Sequence, residues 1–524
     1  LARIQIRGGR RSEGIRTARK AVELIERIRM GFGANRIRSS FLASRTAAYE
    51  SLVEGLIDSG DADSIQEAFE VMERSRNRGL VERTMERFVD SGSTGNESES
   101  VVALRRRLLA LYAALDPNGL EDQRRARMNV RQDEIDAIEI ELDRLMLGTE
   151  GRRPSIDATM SFEEVAGRIP ADTALIEYFV ADGRLLVFTI LGGVLKVVDT
   201  GITVEDISKA VTELHFQCRR RLRGDPGPRV AARMHLACEA VLRSLHRQLV
   251  DPLPSSVRSA SRWLLIPHGP LSAIPFHALL SDDGYVLDRT VITTASSAAM
   301  AIRLASTRVH GEGVVVATVS DERAPLIQDE GDNVAAFHRD VTRLDGKAAT
   351  ADAVLAGLSR ARVAHLACHG RFLPGSPRSS GLRLADRWVT VRDIRELPAT
   401  PSVVILSGCE TGLHPQLGAN EILGLARAFA TRGTRTVVAS LWSAHDSAST
   451  SLMTSMHAAI AEAVNRKDVV LGHSLAEAQK SLRAQRPHPA YWASFFCAEP
   501  CLAAHADSQT SSLWSEAPVF GEHR

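Results

Sequence analysis

Two short apolar runs each carry, next to a glycine, a side chain able to do proton-transfer or covalent chemistry. VAHLACHGRF, from Val363, places His369 beside Gly370, and VVILSGCETGL, from Val403, places Cys409 directly after Gly408. A free thiol is mostly protonated at neutral pH, so a nucleophilic cysteine needs a base or electropositive surroundings. If the two runs end side by side, the His369 imidazole can take the Cys409 proton and later return it to a leaving amine. The backbone amides of Gly370 and Cys409 then stand where an oxyanion would develop. That is the equipment of amide hydrolysis.

Competing readings of the same residues stay open. His365, four positions before His369, points to the same face of a strand but deeper, and is an alternative base. Cys368 alternates to the opposite face and reads as core. A metal site built from His365, Cys368 and His369 would need a compact turn in place of a strand and lacks a fourth ligand nearby, so no metal is expected. Neither GxGxxG nor GxxxxGK[ST] occurs at a strand-to-helix turn, and no cofactor is expected. A strand-end cysteine can also be just a small buried hydrophobe, and a His-Gly pair just a turn.

The positioning elements follow from periodicity. After Gly148 to Pro154 the pattern turns from helix to strand. TALIEYFV (from Thr173) and LLVFTIL (from Leu185) flank an Asp182-Gly183 turn, a hairpin signal, and VLKVVDT adds a third strand. A helical region runs to about Leu249. Buried strands are then expected at Trp263 to Ile266, Val314 to Ser320, Val363 to Ala367, Val403 to Ser407 and Thr436 to Trp442. Short continuous apolar runs separated by helices imply a doubly wound α/β domain, with a parallel sheet covered on both faces. Ligands in such sheets sit beyond the carboxyl ends of strands, which is where His369 and Cys409 fall.

The first part of the chain is helical. From about Ile15 to Arg87 no strand signal occurs. Ser64 with Glu67 reads as a capping box, followed by Ile65, Ala68, Phe69 and Met72 on one apolar face. TAAYESLVEGLIDSGDAD reads as a preceding helix and turn. Paired helices with small residues at their crossings suggest one or two units of a helical repeat. SGSTGNESES, Ser91 to Ser100, is a polar linker. Helices over Val101 to Leu115 and Asp122 to Leu147, broken at Asp116 to Gly119, make a hairpin with Ile135, Ile138, Leu142 and Leu145 as its stripe. The expected boundaries are 1–90, a repeat-like helical region; 91–150, linker and hairpin; 151–310 and 311–505, two α/β halves; and 506–524, a flexible tail in which Trp514 and Phe520 could anchor short-motif contacts.

The composition is that of a globular protein: 44% hydrophobic and 25% charged over 524 residues, with formal net charge +1. This near balance argues against nucleic acid as a direct partner, since counterion release needs a clustered basic face. Arginines do crowd the first forty positions or so (Arg10, Arg11, Arg16, Arg19, Arg27, Arg29, Arg36, Arg38), and read as a solvated helical face or a binding patch. No apolar run is long enough to span a bilayer, and no signal-peptide pattern occurs. The start at Leu1 reads as a fragment with further chain upstream. Six scattered cysteines without CxxC knuckles read as free thiols in a reducing cytosol, hence a cytoplasmic location.

Several blocks, in order, carry a family resemblance: LIEYFV, LIPHGPLSAIPFHAL, AHLACHG, ILSGCETG, NEILGLARAFATRGTRTVVASLW and HPAYWASF. From about Ser161 to Cys501 the chain resembles the CHAT family, caspase-like cysteine peptidases of the caspase, separase and gingipain clan, often fused to tetratricopeptide repeats. AFEVMERSRNRGL is similar to the repeat that commonly precedes the domain. The resemblance implies a caspase-like, parallel-rich sheet flanked by helices, with a degenerate half before about Gly311 and an active half after it. It puts the catalytic histidine on His369 and the nucleophile on Cys409. SAHDSAST resembles the separase stretch whose aspartate receives a basic residue at the cleavage position, which implies a substrate-binding role for Asp446; helix capping is the other reading of that residue. Glu410, with Asn420 and Glu421, could shape the pocket rim, although capping also accounts for the latter two. The segment after Cys497 loses periodicity where the family ends in an apolar strand, a departure from the pattern. The Gly/Pro/Ser-rich loop from Arg371 to Gly381 could gate the site.

Two functions of different class are therefore expected from the sequence. One is a cysteine endopeptidase acting on a protein substrate, preferring a basic residue before the cut and held in check until a regulatory protein partner engages the helical region. The other is a catalytically silent scaffold for protein interaction. A thiol hydrolase acting on a small molecule is a third, without a cofactor motif to support it.

Overall fold

The computed structural model describes residues 1–31, 46–89 and 160–498, apart from 225, 308, 323, 372–379, 410–417 and 467–470, together with the single positions 103, 104, 107, 134, 137, 138 and 141. The chain divides into two compact units, Leu1–Thr159 and Met160–Arg524.

In the first unit the described helices are Ala2–Arg7, Arg11–Gly31, Thr46–Ser59 and Ala62–Val89. Their shared interior holds Val22, Tyr49, Leu52, Leu56, Phe69 and Met72. Gly55 sits at a crossing, where an added Cβ would lie 2.9 Å from Ile15 Cγ1 and 3.0 Å from Ile6 Cδ1. Of the expected apolar face, Ala68, Phe69 and Met72 are buried and Ile65 is half-buried, but the cap differs from expectation. The helix starts at Ala62, and the Asp61 carboxylate accepts from the Ser64 amide at 2.9 Å and from its hydroxyl at 2.7 Å. Asp61, three residues upstream, therefore caps the helix by taking Ser64's own amide, and Ser64 lies inside the first turn. Glu67, free of a capping role, forks with Arg19 at 2.8 Å through both oxygens. The linker and most of the hairpin expected at 91–150 lie outside the described residues, as does the tail at 506–524.

The second unit is built on one mixed sheet of 13 strands, with a separate two-stranded ribbon. Its amino-terminal part is β1 (Thr173–Ala181), β2 (Arg184–Leu191) and β3 (Val194–Thr203), an antiparallel meander. Asp182 (φ 49°) and Gly183 (φ 80°) make the turn between the first two. Helices Val204–Leu222 and Pro228–Leu249 follow. Then come β4 (Arg262–Ile266), the ribbon β5 (Leu280–Ser281) with β6 (Gly284–Tyr285), and β7 (Val291–Thr294), with β4 parallel to both β1 and β7.

The second half begins with β8 (Val314–Thr318) and β9 (Val341–Asp345), parallel to each other. It continues with β10 (Val363–Arg371), β11 (Gly381–Arg383), β12 (Trp388–Thr390), β13 (Val403–Cys409), β14 (Thr436–Ser440) and β15 (Phe495–Ala498). Strand β10 is central, parallel to β8 on one side and to β13 on the other, and β13 is parallel to β14. Such strands are buried on both faces, which is why their sequences are continuous Val, Ile and Ala runs with no alternation.

The sheet is parallel-rich, as expected, and mixed: β15 runs antiparallel to β14 (Val438↔Cys497) and parallel to β7 (Ala498↔Thr294), joining the two halves. One expectation is corrected: the closing apolar strand is present. It lies in FFCA, just before the stretch that loses periodicity, and its Phe495 and Cys497 are buried. At four residues it is too short to show a period, and its helical lead-in Pro489–Trp492 masks it.

Candidate functional site

The register between β10 and β13 builds the site. Val363 to Ala367 pair one-to-one with Val403 to Ser407, and the next pair is Gly370 with Cys409. Three steps along β10 therefore match two along β13, so Cys368 and His369 together oppose Gly408. This is a β-bulge, a device that re-aims side chains at strand ends. Simple alternation cannot be carried across it, so His365 and His369 need not share a face.

Gly408 is required by that bulge. Its φ is 97°, and an added Cβ would lie 3.0 Å from the Cys368 carbonyl oxygen. Only glycine takes this conformation without cost and lets the two backbones approach.

His365 has no freedom to act as a base. It is fully buried, its Nε2 is 2.9 Å from Glu330 Oε1, and its Nδ1 is 3.3 Å from His457 Nε2. His457 Nδ1 is in turn 3.0 Å from His338 Nε2. Burial drives His457 well below the ordinary imidazole range, with the neighbouring His338 and His365 adding to the effect. Cys368 is buried as expected.

His369 is placed differently. It is 17% exposed, and its Nε2 lies 3.0 Å from Asp321 Oδ2. This is a close contact without hydrogen-bond geometry, and neither ring nitrogen has a hydrogen-bond partner among the described residues. Asp321 follows the carboxyl end of β8, the neighbour of β10. It lies in the polar stretch SDERAP, where only the rule that ligands gather beyond carboxyl strand ends could have flagged it.

Asp446 opens the helix Asp446–Arg466 beyond β14, and its Oδ2 accepts from the Leu326 amide at 2.9 Å. It thus caps a neighbouring chain segment, a use neither expectation foresaw. Burial pushes its carboxyl above the usual range; the bond from Leu326 works against this and the Glu330 carboxylate works with it. His445, and after it His369, also lie close enough to act on Asp446 against the effect of burial. Asn420 and Glu421 fall in the first turn of the helix Gly418–Thr431. Glu410 and the loop 372–379 lie outside the described residues. Among the described residues, no group of three His, Cys, Asp or Glu side chains is placed to hold a metal ion, and no helix is long and apolar enough to cross a membrane.

Comparison with solved structures gives a fold match to separase in the Saccharomyces cerevisiae separase–securin complex, at TM-score 0.52 and 9% identity, over 93% of this chain and 37% of that one. A second crystal structure of that complex matches at TM-score 0.45 and 9% identity, over 95% and 49%. The Arg-specific cysteine proteinase gingipain R matches at TM-score 0.35 and 11% identity, over 57% and 75%. The chain thus spans just over a third of the first separase chain. A search of curated protein sequences returns no match. The CHAT domain model matches residues 239–499, a span that holds β4 to β15 and with them His369, Cys409 and Asp446. The chain carries a CHAT domain, on a caspase-like fold shared with separase.

Proposed function

We propose that the chain is a cysteine endopeptidase in which His369 serves Cys409. The observation that carries this reading is the register: Gly370 pairs with Cys409 where two parallel strands end. Paired strands lie about 4.8 Å apart, within reach of an imidazole. His369 takes the thiol proton, and sulfur attacks the peptide carbonyl. The oxyanion is met by the amides of Gly370 and Cys409, and the protonated imidazole delivers its proton to the leaving amine. Water, activated by the same imidazole, then cleaves the thioester. Asp321 is a positioning residue, holding the ring from the β8 side through the 3.0 Å contact.

Asp446 and Glu410 form the substrate-binding part of the proposal, with Asp446 receiving an arginine or lysine before the cut. The substrate is a protein, the setting is cytoplasmic, and a regulatory protein partner acts through the amino-terminal helices. Separase crystallised with securin is the precedent for protein control of this fold.

A thiol-directed probe tests the reading. Labelling of wild type, its loss in Cys409→Ala and its slowing in His369→Ala are expected. Equal labelling of all three overturns the peptidase and leaves the scaffold.

A further inference from the structure

We infer that the amino-terminal half of the sheet carries a binding site for a phosphate-bearing small molecule of nucleotide size. A cleft of about 620 Å³ opens beside the starts of β4 and β7. That volume is in the range of small-ligand pockets. It is walled by the last turns of the helix Pro228–Leu249, by the segment Ser255 to Ser259, and by the β5–β6 ribbon.

Four arginines line the cleft. Arg243 is engaged, donating to the Ser281 carbonyl at 3.0 Å and lying 3.3 Å from Asp282. The other three, Arg247, Arg258 and Arg289, are exposed and have no ion-pair partner among the described residues. Arg289 makes a 3.4 Å contact with the Ser281 hydroxyl. Of the lining carboxylates, Asp282 is used by Arg243 and Asp251 by His246, while Asp283 stands at the ribbon turn. Three unpaired guanidiniums around one concavity repel each other, and an anion relieves that repulsion by forked, charge-assisted hydrogen bonds.

An independent observation points to the same space. His246 lines the cleft and is only 4% exposed. Its Nδ1 is 3.1 Å from Asp251, while its Nε2 is buried without a hydrogen-bond partner. A buried polar atom left unmade costs about 1–3 kcal/mol. With the proton on Nδ1 facing Asp251, Nε2 is an acceptor just beneath the cleft wall, and a ligand hydroxyl or amino group would reach it by a small shift of the side chains that cover it. Phosphate for the arginines and a donor for His246 together describe a nucleotide or sugar phosphate. A bare inorganic ion would use only the first.

Strand direction locates this cleft relative to His369. Because β15 is antiparallel to β14 and parallel to β7, the starts of β4 and β7 share a sheet edge with the carboxyl ends of β10 and β13. The cleft is still a separate site, several strands away in the sheet order.

Calorimetric titration of the whole chain with inorganic pyrophosphate and with adenosine triphosphate tests the inference. One saturable site is expected, bound at least tenfold more weakly by Arg258→Glu and by Arg289→Glu. Arg233→Glu, on the helix Pro228–Leu249 but outside the cleft, should bind as wild type. His246→Asn should weaken the triphosphate more than pyrophosphate. Absence of saturable binding for both probes overturns the inference. So does equal weakening by Arg233→Glu, which marks diffuse charge attraction, or indifference to both cleft reversals.

Discussion

Cys409 is paired across the β10–β13 ladder with Gly370, and not with His369. The offset arises because Cys368 and His369 share the single position opposite Gly408. The candidate base is thus carried on the bulge, and the candidate nucleophile directly follows the residue that permits it. Glycine precedes the cysteine to seat the bulge, a stronger requirement than leaving the backbone open.

Gly408→Ala should therefore damage the site more than its small size suggests. The substitution puts a Cβ 3.0 Å from the Cys368 carbonyl and forces a non-glycine residue to φ 97°. Such strain costs on the order of 1–3 kcal/mol. A lowered melting temperature is expected, together with a drop of about tenfold or more in the rate at which a thiol probe labels Cys409. Unchanged values of both would mean that the bulge is not needed.

Much of this arrangement was legible in the residues. Continuous Val and Ala runs named the central strands, and Asp182-Gly183 named the hairpin turn. The bulge was not legible, because AHLACHG and ILSGCETG each read as an unbroken strand end, and the extra residue exists only in their pairing. His365 looked equivalent to His369 for the same reason. Asp321, Leu326 and Glu330 were missed because each acts across the fold, on a residue 35 to 120 positions away. Asp61 displaced Ser64 as a cap because an acceptor three residues upstream starts the helix earlier and puts Ser64 in its first turn, and local pattern does not rank the two starts.

Asp321 should control the orientation of His369 without contributing to substrate affinity. Asp321→Asn keeps the shape and removes the charge at 3.0 Å from Nε2. Since the side chain is about half exposed, the fold should tolerate the change. On the peptidase reading, kcat should fall by about tenfold or more, equivalent to about 1.4 kcal/mol, with KM little altered. A parallel rise in KM, or no change in kcat, would remove Asp321 from the site.

Buried imidazoles should make the second unit acid-sensitive. Burial holds His277, His338 and His488 each at about 4, below the ordinary 6.5. In each case the unfolded state binds the proton first, so stability is present above pH 6.5 and is lost as pH falls from there toward 4. Asp446, whose carboxyl is raised, works in the opposite direction, but it is one group against these imidazoles. Urea midpoints should decline steadily from pH 7 to pH 4.5. His277→Gln, which keeps a polar partner for Gln479, should shallow that decline. A midpoint independent of pH across this window would contradict the neutral state of these imidazoles.

Asp446 has two duties that a pair of substitutions can separate. Its Oδ2 accepts from the Leu326 amide, a contact a neutral amide oxygen can also make. Recognition of an arginine or lysine, by contrast, requires the charge. Asp446→Asn should thus keep the melting temperature near wild type, while Asp446→Ala lowers it by leaving the Leu326 amide unpaired, a loss of about 1–3 kcal/mol. If Asp446 reads the substrate, both variants should lose about a hundredfold or more in kcat/KM on peptides with Arg or Lys before the cut. Loss in Asp446→Ala alone would assign the residue to holding Leu326, and the basic preference would have to come from elsewhere in the site. Raised pH should favour recognition up to the point where the carboxyl is fully ionised. Because burial raises that carboxyl, the rise should extend to higher pH than for an ordinary aspartate, and should vanish in Asp446→Asn.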